Sequence, residues 1–311
     1  MNLDAIDLLK QAVTKGASDI FIVAGLPVSM RLQGNIMRIG EERLLPDDTY
    51  SVISQIYEMA GGRSMDILSN GGDDDFSFAI PGLSRFRVSA YKQRNTYSIV
   101  VRIITFTLPV PAELGIPDKI IDFARLPKGL VLITGAAGSG KSTSLACMID
   151  YINRNYSKHI ITLEDPVEFL HRHDKSIVSQ REISVDTESY LTALRAALRQ
   201  SPNVILLGEM RDYETIQVAM TAAETGHLVF STLHTIGAAN TIDRIIDVFP
   251  PSQQRQIAVQ LSMVLQAVVS QQLVPSTEQK LVPAFEIMTI TPAIRNMIRD
   301  NKVHQIDGII Y

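Results

Sequence analysis

The chain has 311 residues, 46% of them hydrophobic, a net charge of −4 and one cysteine, Cys147. That length supports about two domains with ordinary cores, and a lone cysteine excludes an internal disulfide and a tetra-cysteine zinc site. No apolar run approaches the roughly 20 residues that span a bilayer, no basic-then-apolar leader opens the chain, and the acidic balance gives nucleic acid no general attraction, so a cytoplasmic protein without a nucleic-acid partner is expected.

Leu3, Ile6, Leu8, Leu9 and Val13 predict an amphipathic helix stopped by Gly16. Short β-like runs at 18–23, 29–32 and 36–39 are punctuated by Gly25 and Gly34, and a second helix is expected over about 49–68. The polar cluster 70–75 reads as a turn, with Asp73, Asp74 and Asp75 solvated rather than holding a metal. Residues 85–91 and 97–104 predict a hairpin in which Phe86 meets Ile103, Val88 meets Val101 and Ala90 meets Ile99 on one face. The same register sets Arg87 opposite Arg102. Like charges so paired destabilise a sheet unless an anion or a carboxylate lies between them, so the pair is either a polyanion clamp or two surface arginines with local acidic partners. Together these elements predict a small α+β domain over 1–105. Pro109, Pro111, Gly115 and Pro117 then mark a linker over 106–125, before a second domain at 126–311.

The apolar run 130–133 leads into Gly135, Ala136, Ala137, Gly138, Ser139, Gly140, Lys141, Ser142 and Thr143, and a helical stretch follows. Strand, glycine loop and helix in that order make a P-loop. Its backbone N–H groups wrap a polyphosphate, Lys141 reaches the terminal phosphates, and the Ser142 hydroxyl is offered to Mg²⁺. Cys147, in the following helix, fits a small buried side chain. Three more apolar runs, 160–163, 204–207 and 228–233, each end in polar residues, and their alternation with helical stretches predicts a parallel sheet covered by helices on both faces. Ligands bind such sheets beyond the carboxyl ends of the strands, which is where these polar residues fall.

Their chemistry suits phosphoryl transfer to water. Glu209, after an apolar strand, stands in the Walker B position, able to hold Mg²⁺ through water or to orient the attacking water. Glu164 and Glu168 are four apart, and either can position or activate that water, while Asp165 fixes the turn or the metal shell. His234 can hydrogen-bond a γ-phosphate; for His227 a structural and a binding role stay open. The helix 189–200 sets Arg195 and Arg199 apart from its leucines, as solvated arginines by default. A long helix is expected over 252–273. A short one, opened by Thr291 and Pro292, carries Ile294, Met297 and Ile298 on one face to dock on its own domain or on a partner.

The glycine loop, the box from Ile161 to His171, the box from Gly208 to Asp212 and the stretch from Thr221 to Thr235 resemble the Walker A, Asp, Walker B and His boxes of the secretion ATPase superfamily. Within it the chain is most similar to the type IV pilus retraction ATPases, from Gly16-Ala-Ser-Asp19 to the helix 293–300. The tetra-cysteine site usual in pilus-extension and type II secretion relatives is missing. The resemblance implies a PAS-like first domain, a RecA-like ATPase domain and a homohexamer that hydrolyses MgATP to power pilus retraction through an inner-membrane platform protein, at the inner face of the cell membrane. Secretion, conjugation and pilus-assembly ATPases are the alternatives it leaves. It further implies that Arg87 and Arg102 reach the nucleotide phosphates, that Arg195 and Arg199 lie near the active site, and that Glu168 rather than Glu164 activates water. Phe21 and Asn203 depart from the residues usual in that family, and its members continue beyond the position of Tyr311.

Overall fold

The computed structural model describes residues 3–32, 34–104, 108–277 and 281–310. Asp4 opens α1 (Ala5–Thr14) by accepting from the N–H groups of Ile6 and Asp7, and Gly16, at φ 68°, ends it. β1 (Asp19–Ile22), β2 (Ser29–Leu32) and β3 (Asn35–Arg38) then form an antiparallel meander. In place of one helix over 49–68 there are two, α2 (Pro46–Met59) and α3 (Asp66–Ser69), because Gly61 and Gly62 both take positive φ between them. β4 (Asp74–Ile80), β5 (Ser84–Gln93) and β6 (Thr96–Ile104) complete an antiparallel sheet ordered β3-β2-β1-β6-β5-β4. The hairpin register matches the expectation, Arg87 opposite Arg102 included, around a tighter turn at Arg94 and Asn95, both at positive φ. One face of the sheet buries Ile20, Ile22, Phe86, Val88, Ile99 and Val101 with Leu8 and Leu9 of α1 and Ile53 and Ile56 of α2.

Asp74 departs from the solvated turn expected of it. It is 3% exposed, accepts from both Nε and Nη2 of Arg63 at 2.9 and 2.7 Å and from the Tyr57 hydroxyl at 3.0 Å. The Arg63 hydrogen bonds hold its carboxyl below the usual range, against the opposing effect of burial. A carboxyl depressed on folding contributes stability above its unfolded pKa of about 3.9, and that contribution is lost as pH falls through the folded value. Asp74→Asn is therefore expected to cost roughly 2 kcal/mol near neutral pH. The cost should shrink progressively as the pH is taken below the unfolded pKa of about 3.9, as read by urea unfolding of the two proteins at neutral and acid pH.

The chain divides into two compact units, Met1–Phe106 and Thr107–Tyr311. Residues 105–107, at the expected boundary and the start of the linker, lie outside the described residues. Much of the remaining linker is packed rather than free: Ile116, then Ile120 and Ile121 of α4 (Asp118–Asp122), then Phe123 of a 3₁₀ turn at Phe123–Arg125, are all buried in the second unit's core.

That second unit runs β7 (Gly129–Thr134), α5 (Lys141–Asn155), β8 (His159–Glu164), β9 (Ile177–Glu182), α6 (Tyr190–Ala197), β10 (Val204–Leu207), α7 (Tyr213–Glu224), β11 (Leu228–Leu233), α8 (Ala238–Asp247), α9 (Pro251–Val264), β12 (Leu265–Pro275), β13 (Leu281–Thr289) and α10 (Pro292–Arg299). Its sheet is ordered β13-β12-β7-β11-β10-β8-β9, parallel from β12 to β9, with β13 antiparallel at the edge. Alternate residues of β7 serve the two faces. Leu130 and Leu132 join a core with α6 to α10, whereas Val131 and Ile133 join α4 and α5. The helix expected over 252–273 ends at Val264, and its second half is β12, where Ala267, Val268 and Val269 pair with β7 and are fully buried. An apolar run with adjacent β-branched residues is a strand once both faces find helices. The short terminal helix docks on its own unit: Thr291 caps α10, Ile294 and Ile298 enter the core, and Arg295 Nη1 donates to the carbonyls of Ser262 and Met263 at the end of α9. Among the described residues no helix is long and apolar enough to cross a membrane.

Candidate active site

β7 ends at Thr134 and the chain turns at once into the glycine loop. A Cβ on Gly135, at φ 142°, would lie 2.1 Å from the Gln271 carbonyl oxygen, so the close approach of β12 requires glycine there. Gly140, at φ 88°, precedes the first residue of α5, whose N-terminus opens towards the loop. Lys141 is 8% exposed and folds back, its ammonium donating to the carbonyls of Gly135 and Ala136 at 2.9 and 2.8 Å. Burial lowers its pKa, with Glu168 and Glu209 acting in the opposite sense.

Beyond the strand ends lies a cavity of about 590 Å³. Ala137, Gly138, Gly140, Lys141, Ser142 and Thr143 form one wall; Glu164, Asp165 and Glu168 form another after β8; Glu209 and His234 follow β10 and β11. Gly135, Ala136 and Ser139 belong to the same loop without lining the space. The sheet thus gathers residues up to 136 positions apart in sequence, from Ala137 to Leu273.

The carboxylates sit in different surroundings. Glu209, with its side chain 13% exposed, is held by Arg211 Nη2 at 2.7 Å and by His234 Nε2 at 3.3 Å. Glu164 accepts from the Thr162 hydroxyl at 2.6 Å and from Gln180 Nε2 at 3.2 Å, yet burial dominates and pushes its carboxyl up to about 7. Glu168 is exposed. The turn that carries it is anchored by Val167, whose N–H donates to Glu182 on the neighbouring strand at 3.2 Å. Burial lowers His171, also on the wall, to about 4, which leaves its ring neutral at pH 7. Such a site can hold a polyphosphate at the loop and place water against its end, beside one carboxyl poised near neutrality and another exposed to solvent.

Several expected residues are elsewhere. His227 precedes β11 at the opposite end of the sheet, its Nδ1 2.9 Å from the Ala222 carbonyl, so within this chain it holds a helix-to-strand turn and is no part of the cavity. Arg195 is an exposed residue of α6 and Arg199 lies just beyond that helix, where its Nη1 donates to the Arg195 carbonyl; neither lines the cavity. In the first unit Arg102 finds a carboxylate: its Nε donates to Asp19 at 3.1 Å, and Asp19 also faces Arg31 Nη1 at 3.5 Å. Arg87, directly opposite, has no side-chain hydrogen bond or ion pair among the described residues.

Sequence reasoning also passed over residues of the wall. Tyr190, Arg211 and Thr232 all line the cavity. Thr232 donates to the Gly208 carbonyl at 2.6 Å and so ties β11 to the turn carrying Glu209. Arg211 had a visible cue, a cation two places after Glu209. Tyr190 had none, because its position depends on where α6 packs.

A glycine loop between a strand and a helix, at the carboxyl edge of a parallel sheet and facing paired carboxylates, defines a P-loop nucleotide-binding ATPase. The family model described as Type II/IV secretion system protein matches residues 4–306, and the chain belongs to that family. It is 46% identical over 308 residues to the type IV pilus retraction ATPase PilT of Pseudomonas aeruginosa, covering 99% of this chain and 89% of that protein. It is 41% identical over 306 residues to the twitching motility protein of Neisseria gonorrhoeae, covering 98% and 81%. The crystal structure of the pilus retraction motor PilT with bound ADP matches with a TM-score of 0.91 at 45% identity, covering 99% of this chain and 89% of that one.

Proposed function

We propose that this chain is the subunit of a homohexameric motor that hydrolyses MgATP to power type IV pilus retraction. It works as a cytoplasmic protein at the inner face of the cell membrane, through an inner-membrane platform protein. The observation that carries ATP hydrolysis is the single cavity joining Lys141 and the loop to Glu168, Glu209 and His234. Retraction, as the use to which hydrolysis is put, is supported by the nearly full-length likeness to a named retraction ATPase.

In this reading the loop N–H groups and Lys141 hold the β- and γ-phosphates, and Lys141 exchanges its two carbonyl partners for phosphate oxygens. Glu168 takes the proton of a water that attacks the γ-phosphorus, as the bond to the β–γ bridging oxygen breaks. Glu209 orients that water or the metal's hydration shell, and His234, already on Glu209, reports the γ-phosphate. Arg87 and Arg102 add positive charge to the phosphates. Among the described residues no three acidic, histidine or cysteine side chains gather into a metal cage. A magnesium ion would find the Ser142 hydroxyl and, through water, Glu209 as the protein's share of its ligands. When bound, the ion neutralises charge developing on the phosphates.

Deleting the gene in its host should leave pili that extend but do not retract, seen by electron microscopy as an excess of surface pili. Complementation with the intact gene should remove the excess, and complementation with Arg102→Ala should not. Loss of pili on deletion would instead assign the motor to assembly, and unchanged pili would separate it from pili altogether.

A further inference from the structure

β12 outlasts its parallel neighbour. The last pair between them is Ser270 with Thr134, so Gln271 is the first β12 residue to stand beside the glycine loop instead of β7. It is 3% exposed, and on its other side it pairs with Phe285 of β13. Three parts of this one residue meet the loop. Its carbonyl oxygen occupies the space that a Cβ on Gly135 would need, at 2.1 Å; its Nε2 lies 2.8 Å from where a Cβ on Gly140 would be; and its Oε1 accepts from the Ser144 hydroxyl at 2.8 Å. Ser144 is fully buried in the first turn of α5.

We propose that Gln271 is a positioning residue for the phosphate loop, a brace that fixes the loop's first and last glycines and the start of α5 relative to one another. The inference rests on the nucleotide reading of the cavity and adds a residue to it from outside the loop, 131 positions after Gly140. A loop that wraps phosphate with backbone N–H groups binds well only if those groups already point inward, because ordering them on binding costs affinity. Between Gly135 and Gly140 the chain has three positions at positive φ, 142°, 76° and 88° at its glycines, and of the side chains between them only that of Ser139 is buried. The brace supplies from β12 the rigidity that the glycines give up.

An amide is needed for this where a core residue of equal size is not enough. Methionine at 271 fills a similar volume and keeps the strand, but offers no strong acceptor to Ser144 and leaves a buried hydroxyl without its partner.

The test is equilibrium titration of the purified full chain with ADP and magnesium, alongside thermal unfolding without nucleotide. Gln271→Met is expected to weaken ADP binding about tenfold, the size of one hydrogen bond left unmade at roughly 1.4 kcal/mol, and Ser144→Ala to weaken it comparably. The double variant should be no weaker than the worse single one, since both remove the same link. Unchanged affinity in both single variants would overturn the proposal. So would losses that add in the double variant, or weaker binding that merely follows a lowered unfolding temperature. Lys141→Ala separates the proposal from its premise. If that variant binds ADP as the parent does, the nucleotide reading itself fails; if it loses ADP while Gln271→Met does not, only the brace fails.

Discussion

Glu209→Gln is expected to bind ATP with little change and to lower turnover by at least about a hundredfold, the usual cost of removing a group aimed at the developing charge. Glutamine keeps the size and one acceptor oxygen, so the Arg211 and His234 contacts, now at 2.7 and 3.3 Å, persist in weakened form and the wall keeps its shape. Only the charge that orders water or a metal shell is removed. Binding and hydrolysis should therefore separate: nucleotide affinity by titration stays within a few-fold, while phosphate release collapses. Near-normal release from the variant would remove Glu209 from the chemistry and leave its ion pair with Arg211 as a structural tie.

The carboxylates after β8 should divide the work between them. Glu168→Gln is expected to lower kcat by about 10²- to 10⁴-fold at every pH, as loss of a general base does. Glu164 acts differently. With its carboxyl pushed up to about 7 by burial, it is ionised only on the alkaline side, where as a carboxylate it can position the attacking water. In the parent protein kcat/KM, which reports the free enzyme, should fall as pH drops through about 7. Glutamine at 164 mimics the neutral carboxyl, so Glu164→Gln should run flat through that range at the level of the acid side. A limb near pH 7 that survives in the variant would belong to another group, and full activity of Glu168→Gln would hand the base role to Glu164.

What the sequence made legible follows from which forces are local. The glycine loop, the strands that lead to Glu164, Glu209 and His234, and the register of the β5–β6 hairpin are all set by short-range pattern: backbone conformations that want glycine, apolar runs of strand length, and alternation across a tight turn. Where a residue's environment depends on a partner far along the chain, local pattern misleads. Asp74 reads as one of three acidic turn residues until Arg63 and Tyr57 close over it. The segment 265–273 continues a helix on paper and becomes a strand because β7 lies alongside it. His227 shares a box with His234 yet sits at the other end of β11, seven positions and one strand length away. Gln271 and Tyr190 reach the site only through the packing of β12 and α6, so no spacing could have announced them.

α9 runs directly into β12. The helix ends at Val264 and the strand begins at Leu265, with no intervening residue, and Arg295 of the terminal helix is tied to the last carbonyls of α9. Such a joint has no slack. A push or pull on the terminal helix cannot be taken up by a pliant connector; it must either break the tie to α9 or slide a strand whose far part lies against the glycine turn.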